Sequence, residues 1–267
     1  DTMAADAICR RAEARHFTDK AALTAMSKTR PLLLVDGSSY LYRAFHVPNL
    51  QRLTNSAGEP VNAVHGFAGF LAGFLADVQP MHAAAVFDES LTTSFRNDIY
   101  PQYKANREPA PAELKRQFGM CRQLVAALGL AGFSSERYEA DDLIGTLAAG
   151  LRPGGFSVEI LSADKDLAQL VGENDVLWDY ARNRRHACAD IPKLLGVRAV
   201  QVADWLALTG DAVDNIPGIP GIGAKTAAAL LAVVYVLAER VLFGLRDRWA
   251  LAPQAWKPFR RPLLIAG

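Results

Sequence analysis

Cysteine is scarce in this chain: 3 in 267 residues, Cys9, Cys121 and Cys188. Their wide separation fits no paired metal-ligand spacing, and their odd number excludes a disulfide framework, so a reducing cytosol is the natural setting. Charge of one sign is also lacking, because 29 Lys and Arg against 28 Asp and Glu leave a formal net charge of +1. Bulk charge therefore announces no polyanionic partner, and the distribution of charge must decide that question. The longest apolar run, Ala227 to Ala238, falls short of the roughly 20 residues a membrane-spanning helix requires. There is no internal repeat and no low-complexity tract. The five histidines form no metal-ligand pair, and His46, His65 and His82 read individually as surface or core residues. The first 25 residues mix Arg10, Arg11, Arg15 and Lys20 with Asp6, Glu13 and Asp19 and contain no apolar stretch like that of a secretion signal. Residues 1–30 are read as a peripheral extension, with Met26 as the biological start.

What is abundant is apolar residue, 51% of the chain, enough to bury a substantial core in one large domain or one plus a small one. Leu32–Val35, Ala83–Phe87 and Ser157–Leu161 are short apolar runs that suit strands buried on both faces of a parallel sheet. Asn62 to Val78 and Ala112 to Leu128 are helix-like, and their alternation with the strands predicts an α/β sheet. From about Leu194 the strand signals stop. Ala199 to Thr209 and Ala224 to Ala232 read as helices around a Gly/Pro-rich turn, so the expected organisation is an α/β domain over 31–193 and a smaller helical one over 194–267.

Each predicted strand runs into an aspartate: Asp36, Asp88 and Asp164. Glu139-Ala140-Asp141-Asp142 opens a helix, Asp166 follows Asp164 by two, and Asp211 and Asp214 lie in a later turn. Taken one at a time, these acids have plainer explanations as helix caps, turn residues or a solvated loop. Ligands of open parallel sheets gather at the carboxyl ends of strands, however, and acids converging there repel unless cations neutralise them. Oxygen-only donors favour hard ions such as Mg²⁺ or Mn²⁺. Two such ions about 3.5–4 Å apart could activate water and stabilise a leaving oxygen at phosphorus, with no catalytic His or Ser.

Seven stretches carry a family resemblance: Leu32 to Phe45, Val86 to Asp88, Phe95-Arg96, Tyr103 to Arg107, Glu139 to Asp142, Ser162 to Leu167 and Leu208 to Ala227. In order and spacing they resemble the 5′-nuclease family: the 5′→3′ exonuclease domain of bacterial DNA polymerase I, its free-standing relatives and phage flap endonucleases. The resemblance covers about Pro31 to Ala232. It implies a mostly parallel, PIN-like or resolvase-like sheet flanked by helices, then a helix-hairpin-helix (SAM-like) domain. It also implies a 5′→3′ exonuclease or 5′-flap endonuclease, cytoplasmic and monomeric, working in DNA replication and repair. Asp36, Asp88, Glu139, Asp141 and Asp142 would cage the first metal, and Asp164, Asp166, Asp211 and Asp214 the second. After Ala232 the sequence departs from the pattern.

Basic residues concentrate locally despite the balanced total. Phe95 to Arg116 carries Arg96, Lys104, Arg107, Lys115 and Arg116 with Phe95, Tyr100 and Tyr103 interleaved, which suits pairing with phosphates and stacking on a base. An ordinary exposed loop and helix would be the alternative. By resemblance this segment forms a helical arch, with Lys104 and Arg107 as catalytic residues near the scissile phosphate and Tyr42, Arg43, Arg96 and Tyr103 on the DNA. Gly218, Gly221 and Gly223 precede a helix beginning near Lys225 and Thr226, so backbone N–H groups could approach phosphates closely; the family places duplex DNA there, with K⁺ at the turn. The expected partner is DNA with a 5′ end or flap, alongside a DNA polymerase. The rivals are a PIN-type ribonuclease and a non-catalytic binder of branched DNA.

Overall fold

The first strand, β1 (Leu32–Asp36), is buried along its whole length. Side chains alternate across a strand, so Leu33 and Val35 enter one core layer while Leu32 and Leu34 enter the other. The computed structural model describes residues 31–89 and 93–249, with side chains through 238. The predicted extension 1–30, with Cys9 and Met26, and the tail beyond 249 lie outside the described residues.

Five further strands complete the main sheet: β2 (His82–Asp88), β3 (Ala131–Ser135), β4 (Val158–Leu161), β5 (Val176–Asp179) and β6 (Arg184–Ala187). Their order is β3-β2-β1-β4-β5-β6; all pairs are parallel except β5–β6, a hairpin at one edge. The chain winds outward from β1 to β3, then returns to lay β4 on the other side of β1. The carboxyl ends of β1 and β4 thus form the topological switch point, where a crevice opens because successive connections diverge.

One face carries α1 (Gly37–Phe45), α2 (Asn62–Val78) and α4 (Ala112–Ala127), which bury Leu41, Phe67, Phe74, Leu114 and Val125 against Leu33, Val35 and Phe87. Between α2 and α4 lies the short α3 (Phe95–Ile99). The other face carries α5 (Ala140–Leu151), through Leu143, Ile144 and Leu147. Fully burying such a side chain contributes about 1.5–3 kcal/mol. The same core takes in Ile191 of α6 (Ile191–Leu195), Val202 and Leu206 of α7 (Val202–Thr209) and Leu231 of α8 (Ala224–Trp249). The helical part therefore packs directly on the sheet.

The α/β architecture and both early helices match expectation, but several elements differ. β3, β5 and β6 were not expected: β3 is Ala-Gly-Phe-Ser-Ser, poor in strand formers and half exposed, and β5 and β6 are only four residues each. Ala199–Gln201 is a 3-10 turn, so the α-helix begins at Val202. Two-residue strands β7 (Gly210–Asp211) and β8 (Ile216–Pro217) pair where only a turn was expected. Helix α8 runs past Ala232 to Trp249, although Val233, Val234 and Val236 have modest helix propensity and stay exposed. Tertiary contact also supplies the cap of α2. Val61 offers no side-chain acceptor there, and the buried Gln117 of α4 accepts from Ala63 N and Val64 N at 2.8 and 3.1 Å while donating to Asn62 Oδ1.

Candidate functional site

A cleft of about 370 Å³ lies at the switch point, lined by Asp36, Asp88, Glu139, Asp141, Asp142, Asp164, Asp166, Asp211 and Asp214. At about 30 Å³ per water it has room for on the order of ten waters, or for hydrated ions and a phosphate. All nine acids singled out in the sequence therefore face one space. Lys104, Arg107, Arg96, Tyr42 and Tyr103 line it too, with Ser38, Ser39, Gln169, Leu170 and Val213.

Each acid is held by the element that delivers it. Asp36 ends β1 and caps α1: its Oδ1 accepts from Ser39 N at 2.9 Å and its Oδ2 from Ser162 Oγ at 2.7 Å. The cap explanation is thus correct for Asp36 without removing it from the cleft. Gly37 lets α1 start hard against β2, since a Cβ there would lie 2.4 Å from the Phe87 ring. Asp88 ends β2, its N–H donates to Ser38 Oγ at 2.8 Å, and its Oδ1 accepts from Ala140 N at 2.7 Å, tying the strand end to the start of α5. The Ser162 Oγ accepts from Asp164 N at 3.0 Å, and Asp164 Oδ1 accepts from Asp166 N at 2.9 Å. Asp211 Oδ1 accepts from Val213 N at 2.8 Å. Ser38 and Ser162 orient three acids between them. They stand inside the Asp-Gly-Ser-Ser and Ser-Ala-Asp stretches, but as small polar residues they gave no separate signal.

Crowding acids into this cleft has an electrostatic cost. Burial, reinforced by Asp88 and Asp164, pushes Asp36 up to about 7 despite its two hydrogen bonds. Asp141 is held well above the ordinary carboxylate range by burial and then by Asp36, Asp164, Asp88 and Glu139. Burial followed by Asp164, Asp211 and Asp214 lifts Asp166 to about 6. These are the directions expected when like charges share a poorly solvated site.

Three basic residues offset part of that charge. Arg96 grips Asp142 with two bonds of 2.6 and 2.8 Å, and Asp142 Oδ2 also accepts from Glu139 N at 3.0 Å. Lys104 Nζ lies 2.6 Å from Glu139 Oε2, and Arg107 pairs with Asp214. Tyr103 Oη lies 3.1 Å from Glu139 Oε2 and 3.2 Å from Asp214 Oδ2.

One sequence expectation needs correction. Tyr103 is only 3% exposed, so its ring is packed away from any base. Residues 101–106 are turns between α3 and α4, and this part of the expected arch docks on the 212–215 loop: Lys104 N donates to Asp214 O, and Asn215 Nδ2 to Gln102 O. Arg43, in the last turn of α1, is not brought to the cleft; it lies 3.5 Å from Asp179. Gly218 is explained by packing, because a Cβ there would lie 2.3 Å from the Thr209 backbone. Gly221, Gly223, Lys225 and Thr226 are exposed at the start of α8, outside the cleft lining.

As the side chains stand, no three acids among the described residues are arranged to ligate one ion. The donor set nevertheless fits a hard divalent cation, being all oxygen. Glu139 Oε1 is buried without a hydrogen-bond partner, a costly state unless a cation or donor meets it.

A switch-point cleft walled by carboxylates marks this as an α/β domain with an acidic candidate site. Residues 31–194 match the family model described as the 5'-3' exonuclease N-terminal resolvase-like domain, and 197–241 match the 5'-3' exonuclease C-terminal SAM fold. The chain belongs to the 5'-3' exonuclease family. It is 45% identical over 214 residues to DNA polymerase I of Rhizobium leguminosarum, an alignment covering 77% of this chain and 21% of the relative. Against DNA polymerase I of Bacillus subtilis strain 168 the identity is 39% over 213 residues, covering 77% and 24%. The chain thus spans less than a quarter of the length of these curated relatives. Among solved structures, the T5 D15 protein co-crystallized with metal ions superposes with a TM-score of 0.64 at 20% identity, covering 76% of this chain and 75% of that one. T5 5'-exonuclease with zinc bound superposes with a TM-score of 0.63, also at 20% identity, covering the same shares of each chain. These likenesses concern the fold. No helix among the described residues is long and apolar enough to cross a membrane.

Proposed function

We propose that this domain hydrolyses DNA phosphodiester bonds at or near a 5′ end, as a 5′→3′ exonuclease and 5′-flap endonuclease in replication and repair. The observation that carries the reading is the gathering of nine carboxylates in one cleft, with Asp36 and Asp166 pushed up to about 7 and 6 by burial and mutual repulsion. Such a set is costly to maintain unless cations complete it. Asp36, Asp88, Glu139 and Asp141 are the proposed holders of one Mg²⁺ or Mn²⁺, and Asp164, Asp166, Asp211 and Asp214 of the other. When bound, two such ions supply an activated water and charge stabilisation of the leaving oxygen.

The chain's own residues do the rest. Asp142, engaged by Arg96 and by Glu139 N, acts as a positioning acid at the start of α5 rather than as a ligand. Lys104 and Arg107, at the cleft wall, offer cationic groups to the phosphate, and Tyr42 borders its path. The exposed residues Gly221, Gly223, Lys225 and Thr226 at the start of α8 suit the backbone of the duplex, with K⁺ seated at that turn. A DNA polymerase is the proposed partner, because this chain resembles a fifth to a quarter of such enzymes.

A labelled 5′-flap duplex incubated with Mg²⁺ tests the reading, with RNA and single-stranded DNA at equal concentration as competing substrates. Metal-dependent release of the flap is expected, and Asp141→Ala should slow it at least about a hundredfold, the scale of losing a charge-organising group. Absence of Mg²⁺-dependent cutting by the parent protein, or cutting of RNA alone, refutes it.

A further inference from the structure

Lys104 is the most enclosed of the cleft's cations. Its ammonium lies 2.6 Å from Glu139 Oε2 and 3.8 Å from Asp214 Oδ2, and its side chain is 9% exposed. Those acids come from separate elements, one from the start of α5 and one from the loop between β7 and β8. A cation between them neutralises two acids that are each proposed to meet a metal ion. The backbone reinforces the contact: Lys104 N donates to Asp214 O at 2.9 Å, Asn106 Nδ2 to Ala212 O at 2.9 Å, and Asn215 Nδ2 to Gln102 O at 2.7 Å. Lys104 also adopts φ +57°, a left-handed conformation that a side-chain-bearing residue holds only when its surroundings impose it.

We propose that Lys104 is an internal counter-ion that latches the strap 102–107 shut across the acids, and that strap docking and divalent-ion binding at Glu139 and Asp214 compete. The competition follows from charge. Both cations seek the same carboxylates, and the two bound states exclude each other, so each weakens the other by the same factor. Opening the latch releases Lys104 and Arg107 together, so the groups that neutralise the acids in the closed state become free to meet a phosphate. This inference rests on the metal-binding reading above.

Mn²⁺ binding to the full chain, without DNA, is followed by the magnetic-resonance signal of the free ion for the parent and for Lys104→Met, which keeps bulk and loses charge. The variant is expected to bind Mn²⁺ about tenfold more tightly, within the usual range of coupling between sites. Equal or weaker binding overturns the latch. A second measurement needs no variant: hydrogen exchange across residues 100–107 of the parent is expected to quicken when Mn²⁺ is added, as Lys104 N–H loses its acceptor. Unchanged or slower exchange also overturns the latch. Failure of both proteins to bind Mn²⁺ instead removes the metal reading itself, an outcome distinct from equal binding by both.

Discussion

Asp36→Asn is expected to stabilise the metal-free protein while weakening its response to divalent ions. Asp36 is 5% exposed, and its carboxyl rises from the ordinary 3.8 to about 7 through burial and then the nearby acids. The unfolded chain therefore releases this proton near pH 4 and the folded chain near pH 7. Stability from this group is highest below the unfolded value, declines between the two, and shows its full deficit above pH 7. At about 1.4 kcal/mol for each tenfold change, that deficit approaches ~4 kcal/mol. An amide carries no such charge and still accepts from Ser39 N, but it loses the charge-assisted bond from Ser162 Oγ, leaving a net gain of about 2 kcal/mol. For a domain of this size that is a rise in Tm of about 4–8 °C. Thermal melts in EDTA at pH 8 and pH 5 measure it, and more than about half of the gap should close at the lower pH. Added Mg²⁺ should raise the parent's Tm by mass action and raise the variant's less, because Asp36 serves only one of the two proposed ion sites. A variant melting at or below the parent in EDTA at pH 8, or a gap indifferent to pH, would refute the reasoning.

Two further outcomes follow from the contacts. Arg96→Met leaves Asp142 without its two-bond partner in a site where the side chains are 18% and 11% exposed, and should cost about 2–4 kcal/mol. Asp142→Asn in that background should recover part of the loss in denaturant melts, as a double-mutant cycle would register. Gln117→Leu strips the cap from α2 and orphans two N–H groups, with an expected loss of about 2–3 kcal/mol read from the urea midpoint.

The sequence alone determined the layered α/β plan, because a strand buried on both faces must be apolar throughout, and Leu32–Val35 and the residues leading to Asp88 are so. It also placed the acids, since an aspartate closing β1 or β2 lies at the carboxyl edge by position alone. What it could not reveal is which charge answers which. Lys104 and Glu139 are 35 residues apart, and Arg107 and Asp214 are 107 apart; nothing local links either pair. Tyr103 reads as an exposed stacking ring beside basic neighbours, and only the docking of its segment on the 212–215 loop buries it. The weak strands β3, β5 and β6 likewise exist because the sheet supplies partners that their own composition does not demand. Local pattern sets secondary structure and the edge where chemistry gathers. Pairing of charges, capping of α2 by Gln117 and the closing of the strap depend on distances between remote residues, which the folded chain alone creates.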